Sequence, residues 1–159
     1  MTDTLFPDLK NASVFITGGG AGIGANLTEG FLRQGARVAF VGRSDASAFV
    51  DEMEAATGNR PLFLQCDITD IPTLKQRIAE ATEAHGPVTT LVNNAANDQR
   101  HTTLEVDEDF WDWSQAINLK AYFFACQAVI EGMRKAGHGS IINFSSISLF
   151  KVHYTKHYF

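Results

Sequence analysis

Thr17-Gly18-Gly19-Gly20-Ala21-Gly22-Ile23-Gly24 places Gly18, Gly22 and Gly24 in the spacing Gly-x-x-x-Gly-x-Gly, with Gly20 between the first two. Glycine lets the chain take positive φ and lets a pyrophosphate come close to main-chain N–H groups. A helix starting near Ile23 would aim the positive end of its dipole at the same anion. The chemistry implied is a backbone cradle for phosphate. Its first gap is wider than in the ordinary G-x-G-x-x-G dinucleotide fingerprint, and the same glycines would also suit a merely tight turn. Further candidates are Arg43, Asp67 with Ile68, the run Asn93-Asn94-Ala95-Ala96, Asn118 and the pair Ser145-Ser146.

The elements that must position these residues follow from hydrophobic patterning. Residues 12–17 are apolar and β-branched in character, as in a parallel strand buried on both faces. Ile23, Leu27 and Phe31 recur at helical spacing up to Gln34-Gly35, where a C-cap would sit, and residues 36–41 are a second buried strand. Together they form a βαβ unit. After its second strand a dinucleotide fold usually carries an acid for the ribose hydroxyls of NAD. Gly42-Arg43-Ser44 stands there instead, and a guanidinium suits a 2′-phosphate, which favours NADP over NAD. Arg43 could equally be a solvated surface charge. Asp45 could serve the ribose or open the helix over residues 46–56.

A third strand is expected at 62–65, and Asp67 or Thr69 could cap a helix through Ile71, Leu74, Ile78 and Ala81. A fourth strand at 88–92 leads into Asn93-Asn94, whose amides can pin a strand end to neighbouring main chain. His101, in the loop that follows on the ligand side of the sheet, could touch a substrate but reads rather as an exposed residue. Residues 107–135 read as the longest helix, with one apolar stripe through Phe110, Trp113, Ile117, Ala121, Phe124 and Ala128. A second stripe runs through Leu119, Tyr122, Phe123, Cys126, Ile130 and Met133. Such a helix is covered on two sides, by the sheet and by a partner subunit, so a homo-oligomer is expected through it. A fifth strand, residues 140–146, ends on the serine pair. Strand ends one, four and five then converge on one rim, where parallel sheets bind ligands.

On these motifs the chain resembles the short-chain dehydrogenase/reductase family. The resemblance implies an α/β, Rossmann-type doubly wound parallel sheet of five strands in the order 3-2-1-4-5, within a dinucleotide-binding domain over residues 1–148. It implies NADP or NAD held by Gly18, Gly20, Gly22, Ile23, Gly24, Arg43, Asp67, Ile68, Asn94 and Ala95, with Asp67 at the adenine amino group. It makes Ser146 the catalytic serine and Asn118 the residue that bends the helix and holds a water in the proton relay. The substrate would be a small-molecule alcohol or carbonyl. Leu5-Phe6-Pro7-Asp8-Leu9-Lys10 and the run 93–101 look most like bacterial sugar 1-dehydrogenases; a 3-oxoacyl ketoreductase is the nearby rival.

The sequence departs from that pattern in two places. Ala96 stands where the family has glycine, a cost of about 1 kcal/mol if the position needs positive φ. The family's general acid/base tyrosine and its lysine four residues on are absent: Phe159 stands thirteen positions after Ser146, and Tyr154 is followed four residues later by Tyr158. A phenol with pKa near ~10 works at neutral pH only beside a stabilising cation. Residues 149–159 read as an interrupted tail, so catalysis by this chain is expected to be impaired, and a non-catalytic nucleotide-binding fragment is the alternative.

Composition narrows the remaining classes. A net charge of -5 over 159 residues, without a basic run, argues against nucleic-acid or anionic-membrane surfaces. No apolar run would span a bilayer and the acidic opening is no secretory signal, so a cytoplasmic protein is expected. Cys66 and Cys126 lack metal-like spacing and read as reduced thiols, with no disulfide and no metal site expected.

Overall fold

The structure, a computed structural model, describes residues 4–99 and 101–145. Five parallel strands, β1 (Ser13–Thr17), β2 (Arg37–Gly42), β3 (Leu62–Gln65), β4 (Thr90–Asn93) and β5 (Ser140–Asn143), form one sheet in the order β3-β2-β1-β4-β5. That is the expected Rossmann-type topology. All five residues of β1 are buried, because the central strand carries helices over both faces. Alternate side chains feed two cores. Val14, Ile16, Val38 and Phe40 pack under α1 (Gly22–Arg33) and α2 (Ser47–Thr57). Phe15, Ala39, Val41 and Leu91 pack under α3 (Ile71–His85) and the helices of residues 108–136. Gly35, with φ 78°, ends α1 where expected.

The expected capping of α3 is corrected. Asp70, not Asp67 or Thr69, caps the helix, its Oδ1 accepting from the Thr73 N–H at 3.2 Å. Pro72 has no N–H to offer and fits the first turn, which sets the cap just ahead of Ile71. The Asp70 carboxyl is held below its ordinary pKa by the Thr73 hydroxyl and N–H. Asp67 instead closes the preceding turn, accepting from the Thr69 N–H at 2.9 Å and hydroxyl at 2.8 Å.

The single helix expected over 107–135 is also corrected. Asp107 caps α4 (Glu108–Gln115), a π-helical turn occupies Ala116–Lys120, and α5 (Ala121–Ala136) follows. A π turn holds one residue more than an α turn, so everything after it is rotated by roughly 100°. The buried stripe therefore runs Ile117, Ala121, Ala125, Val129, Met133, taking members from both expected stripes and two from neither. Leu119, Phe123 and Ile130 are left facing solvent, each about 60 % exposed.

β5 lies at one edge of the sheet, and all four of its residues are exposed. Among the described residues no strand pairs with its outer edge, and an open strand edge is a template for further pairing. Among the described residues no helix is long and apolar enough to cross a membrane.

Candidate functional site

The carboxyl ends of the strands enclose a cavity of about 630 Å³. Of the residues expected to bind a cofactor, it is lined by Gly18, Ile23, Gly24, Arg43, Asp67, Ile68, Asn94 and Ala95. Gly20 and Gly22 are outside that lining and shape the turn behind it. Ser146 and the tail 149–159 lie outside the described residues.

The first turn is built by close approach. Gly18 (φ 69°) and Gly22 (φ 53°) take left-handed conformations that carry the chain from β1 into α1. A Cβ on Gly24 would run into the Gly18 carbonyl, so the helix start and the strand end touch backbone to backbone. Gly19 is just as constrained: a Cβ there would meet the Phe40 side chain. The buried Thr28 hydroxyl donates to the Gly19 carbonyl at 2.8 Å and ties the turn to the middle of α1.

The β4 end is pinned across the sheet to β1. The Asn94 amide donates to the carbonyls of Thr17 at 3.1 Å and Gly18 at 3.2 Å. The Thr17 hydroxyl accepts from the N–H groups of Asn94 at 3.0 Å and Ala95 at 3.1 Å. Asn93 turns the other way: fully buried, it donates from Nδ2 to Asn143 Oδ1 on β5 at 2.9 Å. The strain allowed for at Ala96 is absent. Among the described residues, Asn11 alone combines a side chain with positive φ, so alanine fits position 96.

Asn118 sits in the π turn and reaches back to the loop after β4. Its Oδ1 accepts from the Asn97 N–H at 2.9 Å, and its Nδ2 donates to the Asn97 carbonyl at 3.0 Å. This is main-chain satisfaction of an amide, but by a segment twenty-one residues away rather than a local one. Asn97 in turn lines the cavity beside Trp113.

Asp45 Oδ1 accepts from the Ser47 N–H at 3.2 Å and hydroxyl at 2.6 Å, which holds its carboxyl below the ordinary value and engages it at the start of α2. Arg43 is exposed, and among the described residues its guanidinium has no hydrogen bond or ion pair. Burial pushes the Cys66 thiol up to about 11, so this cavity-lining sulfur is an inert thiol near neutrality. Both cysteines are free. Thr17, Gly19, Thr28 and Asn97 are the site-building residues that sequence reasoning missed. The available signal was a hydroxyl at the end of a buried strand and another inside a helix.

A glycine-lined crevice over the carboxyl ends of a parallel sheet, at the point where strand order reverses, defines a nucleotide-binding α/β protein. The short chain dehydrogenase family model matches residues 12–157, and the chain belongs to that family. It is 48% identical over 145 residues to "Probable galactose dehydrogenase GalD" of Rhizobium meliloti, covering 90% of this chain and 57% of that protein. It is 44% identical over 149 residues to D-xylose 1-dehydrogenase of Caulobacter vibrioides, covering 93% of this chain and 58% of that protein. Among solved structures it matches a blue fluorescent protein from a metagenomic library in complex with NADPH, with TM-score 0.80 and 34% identity. That match covers 90% of this chain and 59% of the other. The chain thus spans somewhat over half the length of these relatives.

Proposed function

We propose that this chain is the cofactor-binding part of an NAD(P)-dependent oxidoreductase that passes a hydride between a nicotinamide and an alcohol or carbonyl, with an aldose as the substrate class. The reading is carried by the contact of Gly24 with the Gly18 carbonyl, the close strand-to-helix approach that a side chain at position 24 would force apart and that leaves the first turn lined by backbone. The lining fits the group: Gly18 and Gly24 present backbone at the start of α1, and the Asn94 amide ties the end of β4 to the carbonyls of Thr17 and Gly18. Likeness to galactose and xylose dehydrogenases supports the sugar.

In this reading Arg43 faces the 2′-phosphate, which favours NADP; Asp67 and Ile68 face the adenine, and Ala95 leaves room for the ribose. When bound, the nicotinamide gives or takes the hydride. Ser146 supplies a hydroxyl to the reacting oxygen, and Asn118 sets the position of Asn97 at the mouth of the cavity. Among the described residues Tyr122 is the one tyrosine; it lies outside the cavity lining, and burial raises its phenol pKa. The second reading is a nucleotide binder without turnover, favoured by Phe159 standing thirteen positions after Ser146.

Titrating an isotopically labelled sample with NADPH should move the amide resonances of residues 17–24 saturably. A folded sample whose resonances there stay fixed would sink the cofactor reading. No change at the reduced-nicotinamide absorbance band with xylose or galactose, alongside saturable binding, would select the binder over the enzyme.

The exposed stripe Leu119, Phe123, Ile130 on the π turn and α5 supports a homo-oligomer through this face. Phe123→Glu is expected to shift a sedimenting dimer toward monomer; an unchanged distribution would remove this face as the interface.

A further inference from the structure

We infer that Gln65 is a positioning residue for Arg43 and thereby sets how strongly the site prefers a 2′-phosphorylated cofactor; this rests on the reading of Arg43 given above. Parallel pairing of β2 with β3 puts Gln65 beside Gly42, the residue before Arg43. From there its Nε2 donates to the Arg43 carbonyl at 2.7 Å. The next residue, Cys66, donates its N–H to the Gly42 carbonyl at 2.9 Å. Consecutive carbonyls of the bend are therefore held by consecutive residues of the neighbouring strand end. One of these bonds is ordinary sheet pairing. The other is a side chain.

Gln65 is itself fixed from behind. Its carbonyl accepts from Arg77 Nε on α3 at 3.1 Å, and Arg77 is oriented by a two-oxygen contact with Glu80 at 2.8 and 2.9 Å. On the far side of the bend, Asp45 is engaged with Ser47. The Arg43 carbonyl is thus held by Gln65 and the carbonyl before it by Cys66, while among the described residues its guanidinium has no hydrogen bond or ion pair, which suits a residue kept for an incoming phosphate. Gln65 is exposed and lies outside the cavity lining, so its side chain is spent on the bend rather than on the ligand.

The test is a set of Kd measurements with NADPH and with NADH, by ligand fluorescence on the full chain, for the parent, Arg43→Ala, Gln65→Leu and the double variant. Loss of one neutral hydrogen bond predicts about a three- to tenfold weaker NADPH affinity in Gln65→Leu, with NADH within about twofold. The double variant should be no worse than Arg43→Ala alone. Gln65→Met, of the same length and neutral but without a donor, should repeat the Leu result and guards against misfolding of the first variant. If Arg43→Ala weakens NADPH selectively while neither Gln65 variant does, the inference falls and the Arg43 reading stands. Equal loss for both cofactors in the Gln65 variants also overturns it. If Arg43→Ala leaves NADPH affinity unchanged, or the parent binds neither cofactor, the reading beneath the inference falls and takes it along.

Discussion

Gly24→Ala is expected to destabilise the chain by about 3 kcal/mol and to abolish measurable dinucleotide binding, because the new methyl has nowhere to go. It would meet the Gly18 carbonyl oxygen directly, the Gly18 carbonyl carbon at 2.8 Å and Asn94 Nδ2 at 2.7 Å. The first two are backbone, and Asn94 is tied to two β1 carbonyls, so none can rotate away. Relief must come from moving the start of α1 off the end of β1, which opens the phosphate cradle. Gly30→Ala, later in the same helix, is the opposite case. Nothing lies within 4 Å of its Cβ position, and alanine there should raise stability by about 0.5–1 kcal/mol through helix propensity with binding unchanged. Urea unfolding of both variants and a nicotinamide titration read the contrast. A Gly24→Ala chain that melts and binds like its parent would mean that the strand and helix do not touch as described.

The difference between these two glycines is only partly legible in the sequence. The spacing Gly18-x-x-x-Gly22-x-Gly24 announces a cradle, yet it does not reveal that Gly19 is closed off by Phe40 on β2, since that contact depends on how two strands pair. Strands 1 to 4 were readable because continuous apolar runs leave few other structures available, and strand order follows from the βαβ crossovers. Caps were harder. Asp67, Thr69 and Asp70 all carry suitable oxygens within four positions, and Pro72 decides among them. Side-chain to main-chain bonds between distant segments, such as Gln65 to Arg43 and Asn118 to Asn97, leave no periodic trace at all. A polar residue inside an apolar pattern is the only hint they give, and Asn118 gave it.

Asn118→Leu should therefore cost about 2 kcal/mol, well above a typical surface substitution. Leucine keeps the volume but strands both main-chain groups of Asn97, whose N–H and carbonyl now bond to the amide at 2.9 and 3.0 Å. Asn97 is half-buried, so water can reach part of what is lost, which keeps the cost below that of two fully buried orphans. The π turn should be affected as well. A wide turn is tolerated here because its central side chain makes contacts to another segment, and without them a regular α-helical register becomes competitive. That register would rotate α5 by roughly 100° and carry Ala125 and Val129 out of the core, so the chain must lose either the turn or the packing. Hydrogen exchange separates the outcomes. Faster exchange at Asn97 alone means a local opening of the loop, whereas faster exchange along Ala121–Ala136 means that α5 has shifted. Asn118→Asp should fall between parent and Leu, since a carboxylate still accepts from the Asn97 N–H but faces its carbonyl without a donor. If the Leu variant loses less than about 0.5 kcal/mol and Asn97 keeps its protection, the clasp is not what holds the loop against the helix.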